Sequence, residues 1–211
     1  MDYTVKPEGH KLREADNIVE GALEACKAVV SKEKSVIVSL GWTEDGFVKE
    51  EMGGVTGETL SSRKMNIRFN STVSGWKKNL EATVAHEFAH TWFHEQNNTS
   101  WEGIQFNWQQ VLMDSHAQHF AEKVVRNYSE PMSDAVSREE MSEKWSKIRE
   151  VCNKELQEGR QLFYGGEEFE TWTGYTAAYL IGEKLLESHE LEEFPELKRS
   201  DVLEAGDTVF G

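Results

Sequence analysis

Apolar residues recur at spacings of three and four from about Leu12 to Val30, at Ile18, Ala22, Ala25, Cys26 and Val29. That pattern predicts an amphipathic helix. Ser35-Val36-Ile37-Val38-Ser39-Leu40 reads as a buried strand, Gly53-Gly54-Val55-Thr56-Gly57 as a turn, and Met65-Asn66-Ile67-Arg68-Phe69 as an alternating, half-exposed strand. Helical patterns follow over about 78–94, 106–126, 137–157 and 175–187, and a short helix is expected after Ser200. Ser137 with Glu140 resembles a capping box at the start of the third of these. Pro occurs only at 7, 131 and 195, so the helices run uninterrupted. A small sheet near the start followed by helices predicts an α+β fold, and no repeat or linker divides the 211 residues into separate domains.

Composition narrows the function classes. With 23 basic residues against 38 acidic ones the net charge is −15, which argues against a nucleic-acid partner, because phosphate binding needs a cationic face. It argues equally against an anionic membrane, and no run of eighteen apolar residues is present to span one. Cys26 and Cys152 make no disulfide framework, and the first eight residues lack the apolar stretch of a secretory signal. The expectation is a cytoplasmic protein with reduced thiols. Nothing in the pattern sets an oligomeric state.

The chemistry lies in Ala85-His86-Glu87-Phe88-Ala89-His90, a His-Glu-x-x-His segment inside a strong helical pattern. Positions i and i+4 sit about 40° apart on one helix face, one turn along, so His86 and His90 can converge on one cation. Zinc accepts imidazole nitrogen at about 2.0–2.1 Å. Glu87 lies about 100° round from His86, where it can flank the metal without ligating it and take a proton from water there. At the frequencies of this chain, seven His and 31 Glu in 211 residues, a chance match has an expectation of about 0.03.

A catalytic zinc needs a third protein ligand and an open position. The familiar continuations fail: an extended motif would need Gly at 93 and His at 96, where Phe93 and Gln96 stand. A Glu some twenty residues on would fall at Gln109 or Gln110. The next helix offers Asp114, His116, His119 and Glu122. Asp114 shares a face of small and apolar residues with Val111, Ala117, Ala121 and Val125, where an ionised carboxylate is costly without a cation. His116 and His119 lie about 140–200° away beside Lys123, a more polar wall. Asp114 ranks first as third ligand, one of the two histidines second and Glu122 third. His94 suits a helix C-terminus, where the dipole favours it, with a supporting role left open.

The same residues resemble a family of predicted zinc-dependent proteases known mainly as a domain of unknown function. Its members carry His-Glu-x-x-His-His or similar on one helix, a second helix resembling Glu-Gly-Leu-Ala-Glu-Tyr-Phe-Ala, and a Gly-Tyr segment near the C-terminus. Asp114-Ser115-His116-Ala117-Gln118-His119-Phe120-Ala121-Glu122 is similar to the second helix, and Trp172 to Ile181 to the Gly-Tyr segment. The likeness covers about 50–187. Asp114 falls where the family has its first Glu, one methylene shorter, and Gln118 falls where it has a second acid.

The resemblance implies a single zincin-like metallopeptidase domain over 1–211, with Zn2+ held by His86, His90 and Asp114. The substrate would be a peptide or protein. Glu87 is then the general base, and Tyr175, with His119 or His116 behind it, is the candidate donor to the oxyanion. Tyr175 also suits packing of a core helix face with Tyr179. Met65 to Phe69 is expected either to pair with an extended substrate as an edge strand or to be an ordinary sheet edge. Phe88, Val84, Trp92 and Phe93 are expected in the core and the acids at 190, 192, 193 and 196 in solvent. Trp101, Phe106 and Trp108 are expected to cover helix ends, with the lining of a substrate cleft as the alternative. The competing readings are a silent zincin-fold module with structural zinc and a metal-free helical interaction protein.

Overall fold

The computed structural model describes residues 9–30, 35–100, 103–156 and 160–211. The protein is α+β: a three-stranded sheet and three helices occupy the N-terminal part, and helices fill the rest. Two compact units divide the chain, one comprising Met1–Glu95 with Ala121–Tyr128, the other Gln96–Phe120 with Ser129–Gly211.

The first unit holds α1 (Gly9–Val29), β1 (Ile37–Trp42), α2 (Gly46–Glu51), β2 (Val55–Ser61), β3 (Lys64–Phe69) and α3 (Trp76–Gln96). β3 alternates as its sequence predicts: Met65, Ile67 and Phe69 are fully buried, while Lys64 and Arg68 are exposed. Those three side chains pack with Ala15, Val19 and Ala22 of α1, Val55 of β2 and Trp76, Leu80 and Val84 of α3. Phe69 stacks on Trp76 with ring centroids 5.3 Å apart and meets Trp42 edge-on at 5.7 Å. Of the α1 positions read from the sequence, Ala22 lies in this cluster and Ile18 packs partly against it, while Ala15 and Val19 complete the face.

Two expectations are corrected here. The strand order is β1-β3-β2, with β1 parallel and β2 antiparallel to β3, so β3 is the central strand and not an edge. Only Gly53 and Gly54, at φ +60° and +81°, form the glycine turn; Val55, Thr56 and Gly57 already belong to β2. Positive φ is what requires glycine at the first two positions. Gly57 is paired with Ile67 in the ladder and has another reason to be glycine, given below.

The second unit contains α4 (Asn107–Val124) up to Phe120, then α5 (Arg138–Cys152), α6 (Arg160–Tyr164), α7 (Thr173–Leu185), a 3-10 turn (Leu191–Glu196) and α8 (Arg199–Phe210). The last four residues of α4 belong to the first unit. Ser137 and Glu140 form the capping box of α5. Trp145 of α5 joins α8 by lying against Phe210 at 5.2 Å and donating Nε1–H to Asp207 at 2.8 Å. The start of α4 is tied to the end of α5, since Asn107 Nδ2 donates to the carbonyls of Val151 and Glu155 at 3.1 and 3.0 Å.

α5 ends at Cys152, short of the expected 157, and Gln157 lies outside the described residues, as do Trp101 and the first eight residues. Phe106 is exposed, whereas Glu190, Glu192, Glu193 and Glu196 are solvated as expected. Among the described residues no helix is long and apolar enough to cross a membrane.

Candidate metal centre

α3 carries His86, Glu87 and His90 well inside its 21 residues, so all three side chains ride on regular helix. From Val84 to His94 every residue but His86 is buried, and His86 is half-buried. Phe88, Val84, Trp92 and Phe93 are core residues, as expected. His94 is fully buried in the last turn. The rings of His86 and His90 meet nearly at right angles, 83°, with centroids 4.7 Å apart and their Nε2 atoms separated by 3.0 Å.

That separation tests the fit of a metal. Two nitrogens held at about 2.05 Å by a tetrahedral zinc stand about 3.3 Å apart. The observed 3.0 Å needs only a slight opening to reach this, and the same distance allows one ring to donate a hydrogen bond to the other in the absence of a cation. The i, i+4 pair therefore fits half of a zinc site.

Glu87 is 7% exposed and lies against β2. Thr59 Oγ1 is 2.7 Å from Glu87 Oε2 and 2.9 Å from the Glu87 carbonyl oxygen. A Cβ built on Gly57 would stand 2.4 Å from Glu87 Cγ and 2.6 Å from Oε1, so the glycine leaves the space that the glutamate fills. Gly57 and Thr59 are two apart on one strand and hence on one face. Sequence reasoning missed both, because it sought partners only downstream of the motif and read Gly57 as turn. The period-two run Val55, Gly57, Thr59 was the available signal.

In the second unit, α4 is buried on every side from Gln110 to Phe120. Asp114 is 4% exposed there. The polar wall expected for His116 and His119 does not exist: they are 0% and 7% exposed. His119 Nε2 lies 2.9 Å from the Tyr179 carbonyl, and its ring stacks on Tyr179 at 4.6 Å. Accepting by that carbonyl fixes the proton of His119 on Nε2. His116 sits between Phe120 and Phe194, each at 6.0 Å.

Polar side chains of α4 meet α7 through its carbonyls. Ser115 Oγ lies 2.6 Å from the Ala178 oxygen, and Gln118 Nε2 donates to the Tyr175 oxygen at 3.2 Å. Tyr175 is half-buried, with its ring edge-on to Phe163 at 5.3 Å and to Trp172 at 5.5 Å. Trp172 caps α7 with φ +74°, a left-handed conformation that costs a bulky residue energy.

The protein is α+β, with His-Glu-x-x-His on a buried helix and the glutamate held against a strand. Among family models, the one described as "Predicted Zn-dependent protease (DUF2268)" matches residues 15–204. The chain belongs to that family. Curated proteins and solved structures yield no match.

Proposed function

We propose that the protein is a zinc-dependent peptidase of zincin type, with His86, His90 and Asp114 as metal ligands and Glu87 as general base. The convergence of two Nε2 atoms on one face of α3, with a buried carboxylate on the intervening residue, carries this reading. Two imidazoles and a carboxylate are a donor set suited to a catalytic zinc with an open fourth position. A carboxylate as buried as Asp114 also calls for positive charge or donors around it.

Bound zinc supplies Lewis-acid chemistry, polarising an amide carbonyl and lowering the pKa of water towards about 7. Glu87 accepts a proton from the attacking water and passes it to the departing amine nitrogen as the C–N bond breaks. Tyr175 donates to the carbonyl oxygen as negative charge gathers there. For His119 to take that part, its Nε2–H has to leave the Tyr179 carbonyl. The substrate is an extended peptide, and the strand that receives it is β2, an edge strand bearing Gly57 and Thr59 beside the base.

The test is a Glu87→Gln variant assayed with fluorescein-labelled casein beside measured zinc content. Zinc should be retained and hydrolysis lost by about 100-fold or more, the scale of removing a general base. Hydrolysis at the wild-type rate in Glu87→Gln contradicts this reading, and zinc without hydrolysis in the wild type assigns the metal a structural role.

A further inference from the structure

We propose that Thr59 and Gly57 of β2 are positioning residues for Glu87, together fixing which carboxylate oxygen faces water. The inference rests on Glu87 being the base, as proposed above, and adds what holds it.

A glutamate side chain has three rotatable bonds, and a general base works only from a narrow range of positions. On α3, two contacts from β2 remove that freedom. The Thr59 hydroxyl reaches both the carbonyl and the Oε2 of Glu87, at 2.9 and 2.7 Å, and so ties the end of the side chain to its own backbone. Its single proton serves one acceptor at a time, and the shorter contact is the one to Oε2. Gly57 supplies the clearance. With any larger residue there, Cγ and Oε1 of Glu87 would have to move, because a Cβ would approach them to 2.4 and 2.6 Å. Oε2 is thereby committed to Thr59, and Oε1 is the oxygen left to receive a proton. Thr59 is 6% exposed, so bulk water does not compete for the contact.

The strand is built for this. Gly57 is paired with Ile67, and Thr59 with Met65. Both partners are fully buried core residues, so the two cradle positions sit on the inward face of a sheet whose register is fixed by packing. The ladder is irregular just beyond Thr59, between it and Ser61.

The experiment compares Thr59→Val, which keeps the shape and loses the hydroxyl, with Thr59→Ser, which keeps the hydroxyl. Three quantities are read in the full-length protein: zinc per chain, kcat and KM on labelled casein, and the position of Glu87 in crystals with and without zinc. For Thr59→Val the expectation is wild-type zinc, KM within about twofold and kcat lowered about 10–100-fold, the range for losing a residue that orients a catalytic group. Its Glu87 carboxylate should leave the wild-type position in crystals, while Thr59→Ser restores both kcat and that position. Equal loss of kcat in the two variants, or an unmoved Glu87 in Thr59→Val, overturns the proposal. If the wild type binds zinc but leaves casein intact, the peptidase reading fails by itself. The crystal positions of Glu87 then decide the role of Thr59 alone.

Discussion

Alanine at Gly182 and alanine at Gly21 should change stability in opposite directions. Both glycines lie inside helices, α7 and α1, where replacing Gly by Ala stabilises by about 0.5–1 kcal/mol when nothing else intervenes. Around Gly21 nothing lies within 4 Å of a built Cβ, so that gain should appear in full. At Gly182 the methyl would stand 2.5 Å from His119 Cδ2, 2.6 Å from Nε2 and 3.2 Å from Ser115 Cβ. The imidazole would have to retreat by about 0.9 Å to restore a 3.4 Å contact. It cannot swing away cheaply, being stacked on Tyr179 and bonded to the Tyr179 carbonyl at 2.9 Å.

Overpacking of this kind costs about 1–3 kcal/mol, so against the helix gain the net loss for Gly182→Ala should fall within about 0–2.5 kcal/mol, centred near 1 kcal/mol. Urea denaturation followed by circular dichroism and tryptophan fluorescence measures it. With m of about 2 kcal/mol/M, each kcal/mol moves the midpoint by about 0.5 M. Because Asp114 lies on α4 five residues before His119, Gly182→Ala should also bind zinc more weakly than wild type, and Gly21→Ala should not. A Gly182→Ala midpoint at or above that of Gly21→Ala would refute the close α4–α7 packing.

Two further outcomes follow from groups outside the site. The thiols of Cys26 and Cys152 are fully buried, and burial pushes both up to about 12. Iodoacetamide at pH 8 should therefore label neither in the native protein and both in urea, and rapid native labelling would contradict the packing of α1 and α5. The hydrogen bond from Trp145, and then Arg149, holds the Asp207 carboxyl below its usual range. A depressed folded value contributes stability above the unfolded pKa of about 3.9 and loses it as pH falls through the folded value. Asp207→Asn should flatten the fall in denaturation midpoint below about pH 4, and an unchanged acid limb would contradict that bond.

How far the fold could be read from the chain depended on whether burial was one-sided. α1 and β3 each bury one face, so the three-and-four spacing through Ile18 and Ala22 revealed the helix, and the alternation of Met65, Ile67 and Phe69 located the core of the sheet; Ala15 and Val19 came only from the structure. The Ser137–Glu140 box was legible because capping is local chemistry. α4 was not, since periodicity identifies a polar wall only where a helix meets water. Here Ser115, Gln118 and His119 are buried against carbonyls of α7, contacts that no spacing rule reveals. The central place of β3 escaped for a related reason: its parallel pairing with β1 joins residues some twenty-seven apart in sequence, beyond any local pattern. Of the candidate site, the His86–Glu87–His90 spacing was legible, whereas the cradle on β2 came only from folding a strand back onto α3.

Zinc stoichiometry of the purified protein, by elemental analysis of wild type and of His90→Ala, Asp114→Ala and His119→Ala, tests the central claim most directly. Wild type and His119→Ala should hold close to one zinc per chain, and His90→Ala and Asp114→Ala should retain none after dialysis. Zinc kept by Asp114→Ala but lost from His119→Ala would contradict that claim.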